Sequence, residues 1–277
     1  MAFLIVADSS SNLYHLEGTD YKYVSLKIRC EEAEFVDDEH LDVSQMNEAL
    51  KATKGPSTSS CPNVFEWMEA FGEAEEIFAV TITSNLSGSC AAAKSAAEEY
   101  VEQHPGRKVH VLDSLSTGGE MCLLIDKIVA CDKAGMTFED TVEAVTEYAK
   151  HTRLIFSLRS LNNLAKNGRV SGAKAKIAGV LGIRVVGKAS DVGTLEPLHN
   201  CRGEKKNIHT IFDVMEETGY EGGKVIIGHC FNEDTAQAVA KLVRDKYPLA
   251  EISFQKTGGL CSFYAEDGGL ILGYEVC

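Results

Sequence analysis

The 277-residue sequence lacks any long hydrophobic run. Its longest uninterrupted apolar stretches, such as Phe3 to Ala7, fall well short of the ~20 residues that a membrane-spanning helix needs. We therefore expect no transmembrane helix and no stable membrane insertion. The N-terminus also lacks the basic region and the cleavage site of a signal peptide, which predicts a cytoplasmic protein.

Positive charge is scarce in this chain. Lys and Arg together number 27 against 41 Asp and Glu, so the formal net charge is −14. A surface of this sign repels phosphate backbones and anionic lipid headgroups, which argues against nucleic-acid binding. An anionic ligand therefore requires a local site that overcomes the overall repulsion.

Paired cysteines are absent, although the chain has nine cysteines. They are spaced singly without a CxxC motif, which predicts neither a zinc site nor a redox pair, and we expect reduced and mostly buried thiols. No metal and no cofactor is predicted. The cysteines stand at positions 30, 61, 90, 122, 131, 201, 230, 261 and 277.

Catalytic and nucleotide-binding motifs are also missing. The chain has no GxSxG, HExxH or GxxxxGK[ST] sequence, and no GxGxxG sequence follows a predicted strand. The sequence therefore does not identify a nucleophile or a phosphate-binding loop. A binding function is favoured over catalysis, and no catalytic residue is assigned.

Strand-like and helix-like segments alternate along the first half of the chain. FLIVAD reads as a buried strand, YKYVSLKIRC as an alternating strand, and VHVLD as a further strand. This alternation predicts an α/β domain with a mainly parallel sheet flanked by helices, covering residues 1–152. The predicted helices are Val43 to Lys51, one whose first residue is Pro62 and whose apolar face holds Val64, Phe65 and Met68, Met121 to Lys133, and Phe138 to His151.

The second half, residues 153–277, predicts a smaller α/β or α+β domain. It begins with the strand RLIFSL and a helix that stops at Gly168, and SGAKAKIAGVLGI reads as another helix. IRVVGKASDVGTLEPL predicts a hairpin with its turn near Asp191 to Gly193. Two further helices and three strands complete the domain, and the last two strands are EISFQKT and GLILGYE.

Clusters of hydroxyl and carboxyl side chains follow several predicted strands. In an open parallel sheet, ligands bind beyond the carboxyl ends of the strands, where the helix N-termini converge. Hydroxyl groups and free helix N–H groups together suit a carboxylate or a phosphate. The clusters are Asp8 to Ser11, Thr83 to Ser89 and Asp113 to Thr117, with Thr58 to Ser60 as a fourth candidate.

The same residues permit other interpretations. Each hydroxyl or carboxyl group is also a favoured cap for its own helix. A second alternative is an acyl hydrolase or transferase that uses Ser87, Ser89 or Cys90 as nucleophile and His229 as base. A third alternative is a binder of a small phosphorylated metabolite, which needs the same anion site without a long apolar tunnel.

Six segments taken in order resemble the DegV family, bacterial fatty-acid-binding proteins that include the lipid-binding subunit of fatty acid kinase. The resemblance runs nearly from end to end of the chain. The segments are IVADSSSN, GPSTSSCP, ITSNLSGSCAAAKSAA, VLDSLSTGGE, FSLRSLNNLAKNGRVS and HNCRGEKK.

The resemblance implies two α/β domains with one long-chain fatty acid buried between them. It implies that hydroxyl groups hold the carboxylate and that a partner kinase phosphorylates the bound acid, while this chain itself is not an enzyme. Arg169 and Arg202 match family arginines and are candidates for contact with the headgroup or the kinase. The implied ligand-binding residues are Thr58, Ser59, Ser87, Gly88, Ser89, Asp8, Ser9, Asp113, Ser114, Arg169 and Arg202, with Asp8 and Asp113 organising the loops.

The chain departs from the family pattern near its C-terminus. Many members carry a His-x-Gly-Pro-Gly motif there, whereas this chain reads GGLCSFYAEDGGLILGYE, without histidine or proline. The resemblance therefore places Tyr264 or Glu266 in the space of that histidine. The Thr-Ser pair at Thr58 is also followed by Ser60 and Cys61, where the family normally has proline close by.

Overall fold

A computed structural model describes residues 3–31, 33–171 and 182–277. Helices and strands alternate along these ranges, with one short 3₁₀ helix at Ser9–Ser11 and another at Ala149–His151. The strands are β1 Leu4–Asp8, β2 Asp20–Val24, β3 Lys27–Cys30, β4 Ala33–Val36, β5 Ser57–Ser60, β6 Glu76–Thr81, β7 Lys108–Asp113, β8 Thr152–Leu158, β9 Ile183–Ala189, β10 Leu195–Arg202, β11 Val225–His229, β12 Ile252–Lys256 and β13 Leu270–Glu275. The α-helices are α1 Val43–Ala52, α2 Val64–Phe71, α3 Ser89–Gln103, α4 Gly119–Lys133, α5 Phe138–Tyr148, α6 Asn162–Lys166, α7 Glu204–Glu217, α8 Glu233–Lys246 and α9 Gly259–Ala265.

The strands form three sheets. The first is parallel, with the order β2-β1-β6-β7. The second has the order β10-β9-β8-β13-β11-β12 and is antiparallel except for the β11–β12 pair. The third is a small antiparallel sheet, β4-β3-β5. The predicted α/β class with a mainly parallel first sheet is confirmed.

Helix α4 lies between the first sheet and the second. Its first turn packs directly on the backbone of β13, since a Cβ atom added to Gly273 would lie 2.1 Å from the Glu120 amide nitrogen. A Cβ atom on Gly119 would lie 2.7 Å from the Ile226 carbonyl oxygen. Residues without side chains at both contact points therefore let the helix backbone approach the second sheet.

Apolar clusters cover both faces of the first sheet. Phe3, Phe78 and Phe138 pack together in the cluster beneath α4 and α5. Trp67 and Phe71 pack on the opposite face with residues of α3. Burial on both faces explains why β1 is an uninterrupted apolar run that ends in a buried aspartate.

The segment before α2 differs from the prediction. Residues 57–60 form β5 rather than a loop that leads into a helix, and α2 begins at Val64 instead of Pro62. Asn63 caps α2 in a capping box, and the helix face that packs on the first sheet carries Trp67 and Phe71 rather than Phe65. Phe65 is consequently 72% exposed, whereas Trp67 is buried.

The alternating stretch YKYVSLKIRC is not one strand, because β2 pairs with β1 in the first sheet and β3 pairs with β4 and β5 in the third. Most of the predicted helix in SGAKAKIAGVLGI lies outside the described residues. Helix α9 was not predicted, since its seven residues carry no full amphipathic period.

Candidate ligand-binding site

A cavity of about 280 Å³ is lined by residues from both halves of the chain. Most of its wall is apolar. The first half contributes Leu26 and Ile82. The cavity face of β8 contributes Leu154, Phe156 and Leu158, which alternate along the strand as side chains on one face of a sheet must.

The polar residues of the wall contact one another in series, each touching the next. The Ser59 hydroxyl lies 2.7 Å from the Tyr264 hydroxyl, and the Arg169 guanidinium lies 5.7 Å from the centre of the Tyr264 ring. Arg169 Nε donates to the Leu86 carbonyl oxygen at 3.1 Å, next to Ser87. These residues line the cavity, so its wall combines one polar region with a larger apolar one.

The N-terminus of α3 reaches the polar region. Gly88 is the residue that precedes the helix, and no side chain caps it. Gly88 and Ser87 both line the cavity. The first N–H groups of a helix have no intrahelical acceptor and carry a partial positive charge. Ser87 accepts from the first of them, the Ser89 N–H, at 3.2 Å. The next N–H groups of this turn have no side-chain acceptor among the described residues, so they suit an anion in the cavity.

Arg169 is placed by the end of α6. Besides its bond to Leu86, its guanidinium donates to the Asn167 carbonyl oxygen at 2.6 Å. Both acceptors are neutral carbonyls, and no salt bridge to Arg169 occurs among the described residues. The positive charge of Arg169 is therefore not neutralised by a neighbouring carboxylate in this part of the chain.

Four of the predicted ligand-binding residues line the cavity. They are Ser59, Ser87, Gly88 and Arg169. Thr117, from the predicted polar cluster after β7, also lines it, and its hydroxyl donates to the Ser10 carbonyl oxygen at 3.2 Å. The structure brings these residues together although they lie far apart in the sequence.

Asp8 lies outside the cavity wall, with its side chain fully buried. Its carboxylate accepts hydrogen bonds from the Ser10 hydroxyl, from the Ile82 N–H at 2.9 Å and from the Ser89 hydroxyl at 2.7 Å. Burial raises the pKa of Asp8, and these donors oppose the increase. Asp8 therefore joins the ends of β1 and β6 to the first turn of α3, and Ser89 serves that network.

Ser9 belongs to a second buried network outside the wall. Its hydroxyl donates to Asp37 at 2.9 Å, and Asp37 also accepts from the Tyr14 hydroxyl and from the N–H groups of Gly259 and Leu260. Asp37 therefore caps α9, the helix that carries Tyr264. Burial raises the pKa of the Asp37 carboxyl. No local pattern in the sequence indicates Asp37, because the helix that it caps lies more than 200 positions away.

The remaining predicted residues also lie away from the wall. Asp113 accepts from the N–H groups of Ser84 and Leu115, both at 3.1 Å, and Ser114 accepts from the Ser116 N–H. These bonds shape the two loops that follow β6 and β7. Thr58 is exposed on β5, whereas the two residues after it, Ser59 and Ser60, line the cavity. Arg202 is exposed at the end of β10.

The residues of the alternative enzyme hypothesis do not assemble. His229 is absent from the cavity wall, and its Nδ1 is buried without a hydrogen-bond partner among the described residues. Cys90 is 1% exposed, and burial raises the pKa of its thiol. Ser87 accepts a hydrogen bond from the Ser89 N–H at 3.2 Å. Among the described residues, no histidine lines the cavity to activate either serine.

Tyr264 and three side chains of β8 also line the cavity. Of Tyr264 and Glu266, which the resemblance places in the space of the family histidine, only Tyr264 lines the cavity. Burial raises the pKa of the Tyr264 hydroxyl, which keeps it a neutral donor. The alternation of Leu154, Phe156 and Leu158 was a usable signal for one apolar face, but it did not indicate which cavity that face lines.

The described residues contain no group of acidic, histidine or cysteine side chains arranged to hold a metal ion. Within the same ranges, no helix combines the length and the apolar character that crossing a membrane requires.

A model of the DegV family, described as an uncharacterised protein family, matches residues 2–275. A DegV domain-containing protein of Streptococcus pneumoniae is 43% identical over 280 residues, covering 100% of both chains. The crystal structure of the Streptococcus pneumoniae Fatty Acid Kinase (Fak) B3 protein loaded with linoleic acid is similar, with a TM-score of 0.98, 43% identity and 100% coverage of both chains. A family protein of Eubacterium eligens loaded with heptadecanoic acid has the same TM-score, identity and coverage.

Proposed function

Because this chain belongs to the DegV family, we propose that its cavity binds one long-chain fatty acid. The carboxylate lies against the polar region of the wall and the acyl chain lies along the apolar region. The observation that carries this proposal is the division of a single cavity into two regions. One holds the N-terminus of α3, hydroxyls and an arginine, and the other holds aliphatic and aromatic side chains.

Burial of the acyl chain supplies the binding energy. About 15 methylenes at roughly 0.8 kcal/mol each contribute on the order of 12 kcal/mol before the costs of ordering the ligand and the protein. Leu154, Phe156 and Leu158 form a wall that loses no hydrogen bond when it contacts hydrocarbon. A ligand held in this way is expected to survive purification.

The polar region compensates for moving a carboxylate out of water. The hydroxyls of Ser87, Ser59 and Tyr264 can donate to carboxylate oxygens, and the N–H groups that follow Ser89 at the start of α3 add further donors. Arg169 supplies a positive charge beside them. An unpaired buried carboxylate would otherwise cost several kcal/mol, on the order of the hydrophobic gain of a few methylenes.

A carrier role accounts for the arrangement better than catalysis. The similar Fatty Acid Kinase (Fak) B3 protein is loaded with linoleic acid, and the described part of the cavity wall here holds no histidine that could act as base for a serine nucleophile. We propose that this chain presents the carboxylate to a separate kinase, which phosphorylates it with ATP. Arg202, exposed and outside the wall, is proposed to contact that kinase. A cytoplasmic location stays a prediction of the sequence.

Mass spectrometry of the purified protein tests the proposal. Under native conditions we expect the mass of the chain plus one fatty acid, and after organic extraction the mass of the chain alone with a fatty acid in the solvent. The bare mass in both spectra, also after incubation with added fatty acids, would contradict lipid binding. Retention of a small phosphorylated compound instead would support the alternative anion binder.

A further inference from the structure

Phe156 lies at the centre of the apolar cavity wall. It is the middle residue of the β8 triplet that faces the cavity and is 2% exposed. Its neighbours across the sheet are Ile271 of β13 on one side and Gly187 of β9 on the other. Ile271 also lines the cavity, whereas Gly187 has no side chain to contribute to the wall.

The Phe156 ring occupies the space above Gly187. A Cβ atom added to Gly187 would lie 2.4 Å from Phe156 Cζ and 2.8 Å from Cε2, distances that no real pair of such atoms adopts. Gly187 is not among the glycines with positive φ, so its backbone conformation does not require glycine. The missing side chain at position 187 instead makes room for the ring.

The position of the ring affects the space left for a ligand. A phenyl ring is rigid, so it can change its contribution to a cavity wall only by changing rotamer. Because Gly187 has no side chain, the Phe156 ring lies over the β9 backbone. If a side chain at position 187 filled this space, the Phe156 ring would have to move. The open space beside the ring is the cavity, so the ring would move into the cavity. The depth of the cavity at this point therefore depends on two neighbouring residues.

We propose that the Phe156–Gly187 pair is a specificity determinant that sets the length of acyl chain the cavity accepts. This inference rests on the proposed fatty-acid binding and adds which residues select among fatty acids. The ring resting on Gly187 leaves room for a long chain, and a smaller side chain at position 156 leaves more.

The test measures which fatty acids each variant retains from an equimolar mixture of saturated acids of graded chain length. Purified proteins are loaded, washed and extracted, and the acids are quantified by mass spectrometry. Phe156→Leu is expected to favour longer acids than the wild type. Because each added buried methylene is worth about 0.8 kcal/mol, the ratio of the next longer acid to the wild-type optimum should rise about fourfold.

Phe71→Leu is the matched control. It makes the same chemical change at a fully buried phenylalanine on the opposite face of the first sheet, where no cavity residue lies in its cluster. Its retained acids should match those of the wild type although its stability falls. A changed profile in Phe71→Leu, equal to that of Phe156→Leu, would show a general loosening and overturn the inference.

Gly187→Ala provides the opposite change. It should shift retention toward shorter acids, and the double variant with Phe156→Leu should return toward the wild-type profile, since leucine does not extend over position 187. The added Cβ would also approach the Glu196 carbonyl oxygen at 2.5 Å, so this variant is informative only if it folds. If it does not fold, the comparison of Phe156→Leu with Phe71→Leu decides.

Failure of this inference differs from failure of the proposed function. A wild type that retains fatty acid, beside a Phe156→Leu variant with an unchanged profile, would overturn only the role of the pair. A wild type that retains no acid from the mixture would contradict fatty-acid binding itself.

Discussion

At the scale of single residues, the hydroxyls between β6 and α3 have different partners. Ser87 lines the cavity, whereas Ser89 donates to Asp8 and the Thr83 hydroxyl accepts from the Asn85 N–H. Gly88 precedes α3 and has no side chain to cap it, and Ser87 accepts only from the first N–H of the helix, that of Ser89. The density of hydroxyls in TSNLSGSC therefore has two causes, a buried network that shapes the turn and a side chain that faces the cavity.

Ser87→Ala is expected to weaken fatty-acid retention. It removes one donor to the carboxylate, and a hydrogen bond to a charged group is worth about 1.5–3 kcal/mol, so the dissociation constant should rise roughly tenfold or more. Titration with a fluorescent fatty acid measures the change. Ser84→Ala is the control, since Ser84 is exposed on the same turn and does not line the cavity. Equal affinities of both variants would contradict the headgroup role of Ser87.

Asp8→Asn is expected to destabilise the fold. The new amide NH₂ group cannot accept hydrogen bonds from the Ser89 hydroxyl and the Ile82 N–H as the carboxylate does, and buried donors without acceptors cost about 1–3 kcal/mol. Urea unfolding measures the loss. Asp20→Asn, at an exposed position at the start of β2, should leave the free energy of unfolding nearly unchanged. A fully stable Asp8→Asn protein would show that the network does not depend on the charge.

At the scale of elements, α4 is held between two sheets by contacts that bury an acidic side chain. Glu120 in its first turn is 6% exposed and accepts a hydrogen bond from the Thr152 hydroxyl at 2.8 Å. Burial raises the pKa of Glu120 to about 7, partly opposed by hydrogen bonds and by the charge of Arg153. Gly119 and Gly273 have no side chains, which allows the first turn of α4 to pack closely on the second sheet.

The raised pKa of Glu120 predicts that the stability of the fold depends on pH. Between its ordinary pKa of 4.5 and the folded value of about 7, the folded chain holds a proton that the unfolded chain releases. The free energy of unfolding should therefore decrease as pH rises through this window, by up to about 3 kcal/mol from this group. Urea unfolding across the window should show a flatter curve for Glu120→Gln than for the wild type. Parallel curves would contradict the raised pKa.

At the scale of the whole molecule, the cavity exists only where the two halves of the chain meet. Its polar region joins the loop after β6 to Arg169 and to Tyr264 on α9. The hairpin between β9 and β10 also contacts that loop, since Asn85 Nδ2 donates to the Val192 carbonyl oxygen at 2.7 Å. A rearrangement of the two halves would therefore disturb the headgroup region and the acyl region together.

Arg202→Ala is expected to reduce phosphorylation of the bound acid without changing lipid content. Arg202 is exposed outside the cavity wall. Loss of a charged contact at an interface costs about 2 kcal/mol or more, so turnover should fall roughly thirtyfold when the lipid-loaded chain is limiting. The assay combines lipid-loaded chain, ATP and the kinase subunit of a fatty acid kinase. Lys241→Ala, which removes another exposed cation, is the control. Unchanged turnover in Arg202→Ala would remove this residue from the proposed docking surface.

Much of the fold followed from local patterns in the sequence. Burial on one or two faces of an element imposes a local pattern of apolar residues. This pattern is visible in the apolar run of β1, in the alternation along the β9–β10 hairpin and in the helical spacing of apolar residues in α7. The break between β2 and β3 was not predictable in this way. The two strands read as one pattern, and only their pairing with different sheets separates them.

The sequence by itself determined the class of fold, the acidic surface and the residues able to hold an anion, because these properties depend on composition and local order. The tertiary structure alone decided which of those residues meet. Ser59 faces the cavity while Thr58 is exposed, Ser87 lines it while Ser89 holds Asp8, and Asp37 caps a helix more than 200 positions away. Strand register and helix packing assign these roles, and both arise from contacts between segments distant in the chain.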